Sequence, residues 1–449
     1  MVESDHYFTK VTEDQTDWTG TYLIVYEAGS IAFNGAMADK LDAEGNGVGV
    51  TIADGKIAAT DANIAVSFVV EKIEGGYTIR SKSGLYFGSE SDTNSLLSNA
   101  TKTYFNNFAI DADGNTTVTG EGGAILRYNA ASNQNRFRFY KTSSYTSQQP
   151  IALYKLDVAT MFGAQVKVDA DITIKYYVDV TNSEGISAGD LVMQFIIDDE
   201  VVDTVAGTEK DGKYVFDLAH LAPQRITDVI KAELLYKGTL IDVKDDYSIK
   251  ENVLAILEAN PTNTSLKRFV SDLLYYGEAA QNYTKYNTDN LATNGLTKGE
   301  DGDIYAVDET ILPEASDSVF NLSATTGDAG FKSATVWFDS TNSLIVKVSK
   351  RTEDTAVKVY VTPYGGTKVE LDYNSDIGGY KTADIGITDF DKEYKFELCD
   401  EGGNVIQTLT YSVNSYAYSI YKKYESDDTS TMKALALALF RLGQSAKEL

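Results

Sequence analysis

The last two-thirds of the chain contain one segment twice, and this duplication is the strongest constraint on the fold. Residues 231–234 (KAEL) recur as residues 395–398 (KFEL), and residues 247–249 (YSI) recur as residues 411–413 (YSV), each 164 positions further along. The apolar positions of a following helical pattern recur at an offset of 166, including Leu273 as Leu439 and Gly277 as Gly443. Repeated modules more often bind than catalyse, because duplication raises avidity rather than a reaction rate.

Residues 1–157 are predicted to form an all-β N-terminal module. Short alternating runs such as residues 21–26 and 76–80 are separated by glycine turns, and no long helical pattern is present. A loose motif recurs three times, beginning near Tyr22, Tyr77 and Ile125. Three passes favour a β-trefoil or barrel-like module, although a sandwich fits nearly as well.

Each later copy is predicted to be a β-sandwich followed by two helices, so the whole chain is expected to be mainly β with α. The first copy spans residues 158–286 and the second spans residues 319–449. Ser248, followed by Glu251 three residues later, has the form of a capping box, and a second helix is expected at about residues 265–281. Residues 287–318 are predicted to be a linker, with a calcium loop at the acidic residues 298–303 as the alternative.

The charge of the chain excludes several partners. The formal net charge is −27, from 66 acidic and 39 basic residues, so a nucleic-acid backbone would be repelled. No apolar run approaches the roughly 20 residues that a membrane-spanning helix needs. The single cysteine, Cys399, permits no intramolecular disulfide. We therefore expect a soluble monomer with neither nucleic-acid partners nor membrane insertion.

Catalytic and cofactor-binding motifs are not evident in the sequence. Only two histidines occur, His6 and His220, and neither has sequence neighbours that would form a triad or a zinc site. No nucleophile elbow, phosphate-binding loop or dinucleotide fingerprint is present. Paired carboxylates for glycoside hydrolysis need no fixed spacing in the sequence, and they remain the catalytic alternative. The prediction is a protein that is not an enzyme, with no catalytic residue, no metal ligand and no cofactor.

Outward-facing aromatic residues are the best candidates for a binding site. Val336 and Phe338 are expected to face inward, which places Trp337 outward, at the position where the first copy has the polar Lys167. Strand alternation also places Tyr360 beside Lys358, and Tyr177 between two charged residues, on outward faces. Exposed rings with polar neighbours can stack on a flat sugar face. The predicted carbohydrate-binding residues are Trp337, Tyr360, Lys358 and Tyr177.

Trp337 and Tyr360 are expected to form one platform, with Trp337 contributing most and Tyr177 less. The alternative is that the helical pair covers Trp337 as part of the core. In that case the site is expected in the N-terminal module, around Tyr128, Arg136, Arg138 and Tyr140.

Residues 274–283 (LYYGEAAQNY) resemble a segment common in large modular surface proteins of gut clostridia, and residues 163–168 (GAQVKV) resemble the opening of the sandwich modules in those proteins. Residues 136–141 (RFRFYK) and 151–155 (IALYK) resemble the end of a β-module found in similar proteins. Some proteins built in this way attach to dietary polysaccharide, including starch, and others attach to host molecules.

The resemblance implies a secreted or cell-surface protein of a Gram-positive bacterium. The expected function is non-catalytic binding of a polysaccharide or glycan, with starch or another α-glucan as the leading candidate. Two alternatives remain: an adhesin for a host glycoprotein such as immunoglobulin or mucin, and a structural spacer of a larger surface protein.

Overall fold

A computed structural model describes residues 6–143, 148–180, 186–187, 189–260, 262–294, 307–338, 341–349 and 357–449. The chain is mainly β with a few helices, as predicted, and its strands form several separate sheets. The acidic residues 298–303, expected to be a linker or a calcium loop, lie outside the described ranges.

The N-terminal module contains the first fourteen strands and a short helix, α1 (Asp61–Ala65). The strands are β1 (Tyr7–Lys10), β2 (Gly20–Tyr26), β3 (Ile31–Phe33), β4 (Gly47–Gly49), β5 (Lys56–Ala58), β6 (Phe68–Ile73), β7 (Gly76–Ser81), β8 (Tyr86–Gly88), β9 (Leu97–Asn99), β10 (Asn106–Ile110), β11 (Thr116–Gly120), β12 (Ile125–Asn129), β13 (Arg136–Tyr140) and β14 (Ala152–Asp157).

Strand pairing in this module repeats three times. Strand β2 pairs with β14 and β6, and the path continues through β7 and β10 to β11. Strands β2, β7 and β11 are each followed by a hairpin: β3 with β4, β8 with β9, and β12 with β13. A single bridge from Thr116 to Ile151 returns from β11 to the start of β14, so a full ladder does not close the ring. Two ring strands and one hairpin recur three times, which is the arrangement of a β-trefoil.

The third copy of the trefoil motif begins one strand earlier than the sequence predicts. The run from Ile125 is not equivalent to β2 and β7; it is the first strand of the third hairpin. The first strand of the third copy is β11, whose Thr119 pairs with Ile125. Strand β11 (TTVTG) has one large apolar residue, so it lacks the apolar run that marks β2.

Aromatic side chains from the three hairpins meet in the core of this module. The ring of Phe33 lies 5.6 Å from that of Phe87 and 5.1 Å from that of Phe137. All three side chains are fully buried. Burying each phenyl group stabilises the fold by about 1.5–3 kcal/mol relative to exposure, so this aromatic cluster fixes the three hairpins together.

The first sandwich has eight strands in two sheets, ordered β15-β16-β20-β19 and β18-β17-β21-β22. The ring of Tyr176 lies 5.3 Å from that of Phe195 of the facing sheet. The strands are β15 (Ala159–Val168), β16 (Ile172–Val180), β17 (Leu191–Ile197), β18 (Glu200–Ala206), β19 (Thr208–Lys210), β20 (Lys213–Leu221), β21 (Ile230–Tyr236) and β22 (Thr239–Tyr247).

The second sandwich repeats this order, with β24-β25-β29-β28 in one sheet and β27-β26-β30-β31-β23 in the other. The rings of Phe331 and Phe396 join its two sheets at 6.5 Å. The strands are β23 (Asn321–Leu322), β24 (Phe331–Trp337), β25 (Ser343–Val348), β26 (Lys358–Thr362), β27 (Val369–Leu371), β28 (Tyr373–Asn374), β29 (Gly379–Lys381), β30 (Tyr394–Cys399) and β31 (Val405–Tyr411).

Each sandwich is followed by two helices: α2 (Ile249–Ala259) and α3 (Thr264–Thr284) in the first copy, and α4 (Val413–Lys423) and α5 (Thr431–Ala446) in the second. The hydroxyl of Ser248 caps α2 by accepting from the backbone N–H of Glu251, and Ser412 caps α4 in the same way. Ser248 forms this half of the predicted capping box. The predicted arrangement of two sandwich-plus-helical-pair repeats is confirmed.

The chain forms two compact units. One comprises Met1–Gly163, Tyr176–Phe216 and Ile230–Asp245, and the other comprises Ala164–Lys175, Asp217–Val229 and Asp246–Leu449. The divisions fall inside strands of the first sandwich as well as between elements. The module bounds at residues 157, 286 and 318 remain predictions.

Candidate functional site

Tyr177 is on the outward side of strand β16, as predicted. Its neighbours Tyr176 and Val178 are fully buried, whereas Tyr177 is partly exposed, because successive side chains of a strand point to opposite faces. The ring of Phe162 lies 6.0 Å from the ring of Tyr177, with 40° between the two planes. Phe162 is 50% exposed. Two adjacent aromatic rings therefore meet solvent on this face.

Phe162 was not predicted, because its strand does not alternate regularly. In strand β15 the exposed positions are 160 and 162, and then 165 and 167. The exposed side therefore changes between Phe162 and Gln165, near Gly163 and Ala164. If side chains alternated regularly along the strand, Phe162, five residues before the outward Lys167, would lie on the inner face. A glycine within a strand is the one sequence signal that could have indicated such an irregularity.

Two oppositely charged side chains complete this surface, which we call the aromatic face (Phe162, Tyr177, Asp179 and Lys213). The Lys213 ammonium lies 3.9 Å from the centre of the Phe162 ring and 3.4 Å from Oδ1 of Asp179. Both charged side chains are about half exposed, at 46% for Lys213 and 58% for Asp179. The face thus offers apolar ring surface, a hydrogen-bond donor and a carboxylate acceptor within a short distance.

Tyr360 also points outward, but a lysine covers its ring. The Lys368 ammonium lies 4.4 Å from the ring centre and is held there by an ion pair with Glu397. Lys395 contacts the same carboxylate at 3.0 Å, and hydrogen bonds from Lys368 and Lys395 lower the pKa of Glu397. Lys358 is exposed and lies 3.7 Å from Glu370. The predicted residues Tyr360 and Lys358 therefore belong to a network of paired charges.

Trp337 lies in the other sheet of the second sandwich, so the structure does not place it on one platform with Tyr360. Its side chain is partly buried, and the Lys381 ammonium lies 5.8 Å from its ring. The next residue, Phe338, contacts Tyr416 of helix α4, with 5.3 Å between the ring centres. This end of strand β24 is therefore next to the second helical pair, as in the alternative that the sequence left open.

The alternative site in the N-terminal module, around Tyr128, Arg136, Arg138 and Tyr140, is mostly buried. Tyr128 and Tyr140 are each only 4% exposed. The guanidinium of Arg138 donates to Asp42 at 2.7 and 3.0 Å, and Arg136 lies 4.0 Å from the same carboxylate. These side chains hold the module together and offer little surface to a ligand.

A groove of about 500 Å³ lies between helices α3 and α5, and a buried acid lines it. Asp272 is 3% exposed, and its Oδ2 has no hydrogen-bond partner within the described ranges. Burial raises the pKa of Asp272 to about 6, and a hydrogen bond with Ser445 and the charges of Arg268 and Arg441 oppose that rise. In the helical repeat, at the offset of 166, the equivalent residue is Ala438. No sequence signal marks Asp272 as a buried acid at this apolar position.

Two further features bear on function. Among the described residues, no group of three or more His, Cys, Asp or Glu side chains is placed to hold a metal ion. In the same part of the chain, none of the helices combines the length and the apolar character required to cross a bilayer.

Comparisons with known proteins add little. No protein-family model matches the chain, and no curated protein matches it in sequence. A match among solved structures is the crystal structure of Cry35Ab1, with 10% identity over 94% of this chain and 99% of that chain, and a TM-score of 0.21. At that TM-score the likeness supports no argument about fold or function.

Proposed function

We propose that this protein is a non-catalytic, extracellular or cell-surface binding protein of a Gram-positive bacterium, and that its ligand is a polysaccharide. The aromatic face carries this proposal. Phe162 is half exposed beside Tyr177, and Lys213 and Asp179 lie at the edge of the two rings. α-Glucans such as starch are the first class to test, in keeping with the resemblance to clostridial surface modules.

The chemistry of the aromatic face suits a sugar ring. The C–H face of a pyranose is apolar and can lie against a phenyl or phenol ring, while its hydroxyl groups need donors and acceptors around the edge. Lys213 supplies donors and Asp179 supplies an acceptor. The ammonium now over Phe162 is on a flexible, half-exposed side chain, so a sugar can displace it and still form a hydrogen bond with it.

Affinity electrophoresis in gels cast with starch, dextran, xylan or pectin tests the proposal. We expect starch to retard the protein, and Tyr177→Ala to weaken binding by more than about tenfold, since one stacked ring contributes roughly 1–3 kcal/mol by analogy with base stacking. Tyr360→Ala is the matched control, because it also removes a tyrosine side chain, but one whose ring is covered by Lys368. Its binding should change less than about twofold.

Two results would overturn the proposal. One is that no polysaccharide retards the protein while immobilised mucin or immunoglobulin captures it, which favours the adhesin. The other is equal loss of binding in Tyr177→Ala and Tyr360→Ala, which places the binding surface elsewhere.

A further inference from the structure

Two partly buried cations of the first compact unit line the same groove, and neither has an acidic partner among the described residues, although the chain has a net charge of −27. Arg80 lies in strand β7 and Lys82 follows that strand. Both line a groove of about 430 Å³, which we call the basic groove. No ion pair joins either residue to an acid in the described part of the chain. The chain contains 66 acidic residues, so the lack of a partner is not a shortage of carboxylates.

The Arg80 guanidinium makes no hydrogen bond to any described residue. The Nε of Arg80 is buried with no hydrogen-bond partner in the described part of the chain, and the guanidinium lies 5.8 Å from the centre of the Tyr86 ring. The Lys82 ammonium donates to Thr239 Oγ1 at 3.0 Å, which leaves two of its three hydrogens available. An unpaired charge that is partly withdrawn from water is costly, so the arrangement is incomplete without an anion.

The electrostatics of the basic groove agree with this geometry. Burial lowers the pKa of Lys82, and the positive charge of Arg80 lowers it further. Two carboxylates also line the groove: Glu233 is paired with Lys231 at 2.5 Å, and Glu71 forms no ion pair with either cation. The two positive charges therefore reinforce each other, and an incoming anion would accept hydrogen bonds from both.

The other groups in the groove indicate what kind of anion would fit. Gln194 supplies an amide, and Glu71 and Glu233 supply carboxylate acceptors. An apolar carboxylic acid would bring no hydrogen-bond donor to Glu71 or to the remaining lone pairs of Glu233, whereas a polyhydroxy acid brings hydroxyl donors to both. The volume of about 430 Å³ falls within the usual range of roughly 300–1,000 Å³ for small-molecule sites. Arginine is well suited to a carboxylate because its planar fork can donate two parallel hydrogen bonds.

We propose that the basic groove binds the carboxylate of a sugar acid, such as a uronic acid unit, through Arg80 and Lys82. The basic groove shares no residue with the aromatic face. Its variants therefore test this proposal independently of the proposed function. Its ligand class is acidic, whereas the aromatic face is expected to select a neutral glucan.

Isothermal titration of the full chain with sodium glucuronate, glucose and sodium sulfate tests the proposal. Glucuronate should bind at millimolar concentration or below, and glucose should bind at least about tenfold more weakly because it lacks the charge. Arg80→Gln should weaken glucuronate binding by more than about tenfold, and Lys82→Gln by a smaller factor. Lys72→Gln is the matched control, because it removes one positive charge at an exposed position of the neighbouring strand β6.

Thermal unfolding of each variant separates a binding role from a structural one. Since the Arg80 side chain has no hydrogen-bond partner among the described residues, Arg80→Gln should not lower the melting temperature. Should it fail to fold, Arg80→Lys keeps the charge but loses the fork, and it should weaken glucuronate several-fold. The proposal is overturned by any of four results: no glucuronate binding, equal binding of glucose, equal binding of sulfate, or equal loss in Lys72→Gln.

Discussion

In the first copy of the repeat, a Cβ added to Gly277 would lie 2.8 Å from Cδ1 of Ile226; in the second, one added to Gly443 would lie 2.7 Å from Cδ2 of Phe390. Ile226 and Phe390 are themselves 164 residues apart. The backbone agrees, because Lys250 N–H donates to the Ile226 carbonyl at 3.0 Å and Asn414 N–H donates to the Phe390 carbonyl at 2.9 Å. The two copies therefore keep the same contacts beneath their helices.

The outward faces of the two sandwiches do not agree. In the first sandwich, Tyr177 lies beside the exposed Phe162. In these strands the second copy follows the first at an offset of 170, which aligns Val166 with Val336 and Tyr177 with Lys347. The outward tyrosine of the second copy, Tyr360, is in a different sheet and lies under Lys368. Buried contacts constrain both copies, while solvent-facing positions have been free to diverge. The comparison places the candidate site in the first copy.

The largest expected effect tests the shared helical core. Leu273→Ala and Leu439→Ala should each lower the free energy of unfolding by about 2–5 kcal/mol, because both leucines are fully buried. Chemical denaturation followed by circular dichroism measures this. Val229→Ala is the control, since Val229 is 58% exposed and its loss should cost less than about 0.5 kcal/mol. A large loss for one leucine only would show that the copies are not equivalent.

The next prediction concerns Asp272, a buried acid whose counterpart in the helical repeat is Ala438. The pKa of Asp272 is raised to about 6, so the folded chain binds this proton more tightly than the unfolded chain. Compared with higher pH, the folded state is favoured below about pH 4, where Asp272 is protonated, and this advantage is lost as the pH rises through about 6. Asp272→Asn should therefore gain stability relative to the natural chain between pH 4 and 7, by on the order of 3 kcal/mol at most.

Unfolding curves at several pH values measure the Asp272 effect. Asp289→Asn is the control, because Asp289 is exposed. A difference between Asp272→Asn and the natural chain that does not vary with pH would contradict the prediction. Ala438, at the equivalent position, already shows that the helical packing accepts an uncharged residue there.

A substitution that gives the first sandwich the outward residue type of the second should change stability less than the two preceding ones. Tyr177→Lys should weaken polysaccharide binding by more than about tenfold, because it removes a stacking ring. The free energy of unfolding should change by less than about 1 kcal/mol at this partly exposed position. Affinity electrophoresis and denaturation on the same sample measure both. Retained binding would remove the functional distinction between the faces.

The smallest expected difference lies between the two helical glycines. A Cβ at Gly443 would lie 3.3 Å from the backbone oxygen of Ile387, whereas at Gly277 the close atoms are side-chain atoms of Ile226 and Ala292. Gly443→Ala should therefore be less stable than Gly277→Ala by about 1 kcal/mol, since backbone yields less readily than side chains. Equal melting temperatures would show that both sites relax to the same extent.

The sequence predicted the repeat well because buried positions are under the same constraint in both copies. Ile249 and Val413 were expected in equivalent core sites, and their exposed fractions are 0% and 1%. Phe162 was missed because an irregularity in strand β15 reverses the alternation on which outward faces are counted. The role of Trp337 in binding stays a prediction; a local strand pattern could not show that the end of its strand lies next to helix α4.

The pairing of β2 with β14 also affects how the N-terminal module is made during synthesis. Residues 22–25 form a ladder with residues 152–155, so a strand near the beginning of the module pairs with its last strand. Such long-range pairing slows folding, because a large loop must close before the contact stabilises anything. While the ribosome is still adding the third hairpin, Tyr22 and Ile24 have no complete core to enter. The nascent chain therefore carries exposed apolar strands over most of this module, and it is then most open to aggregation.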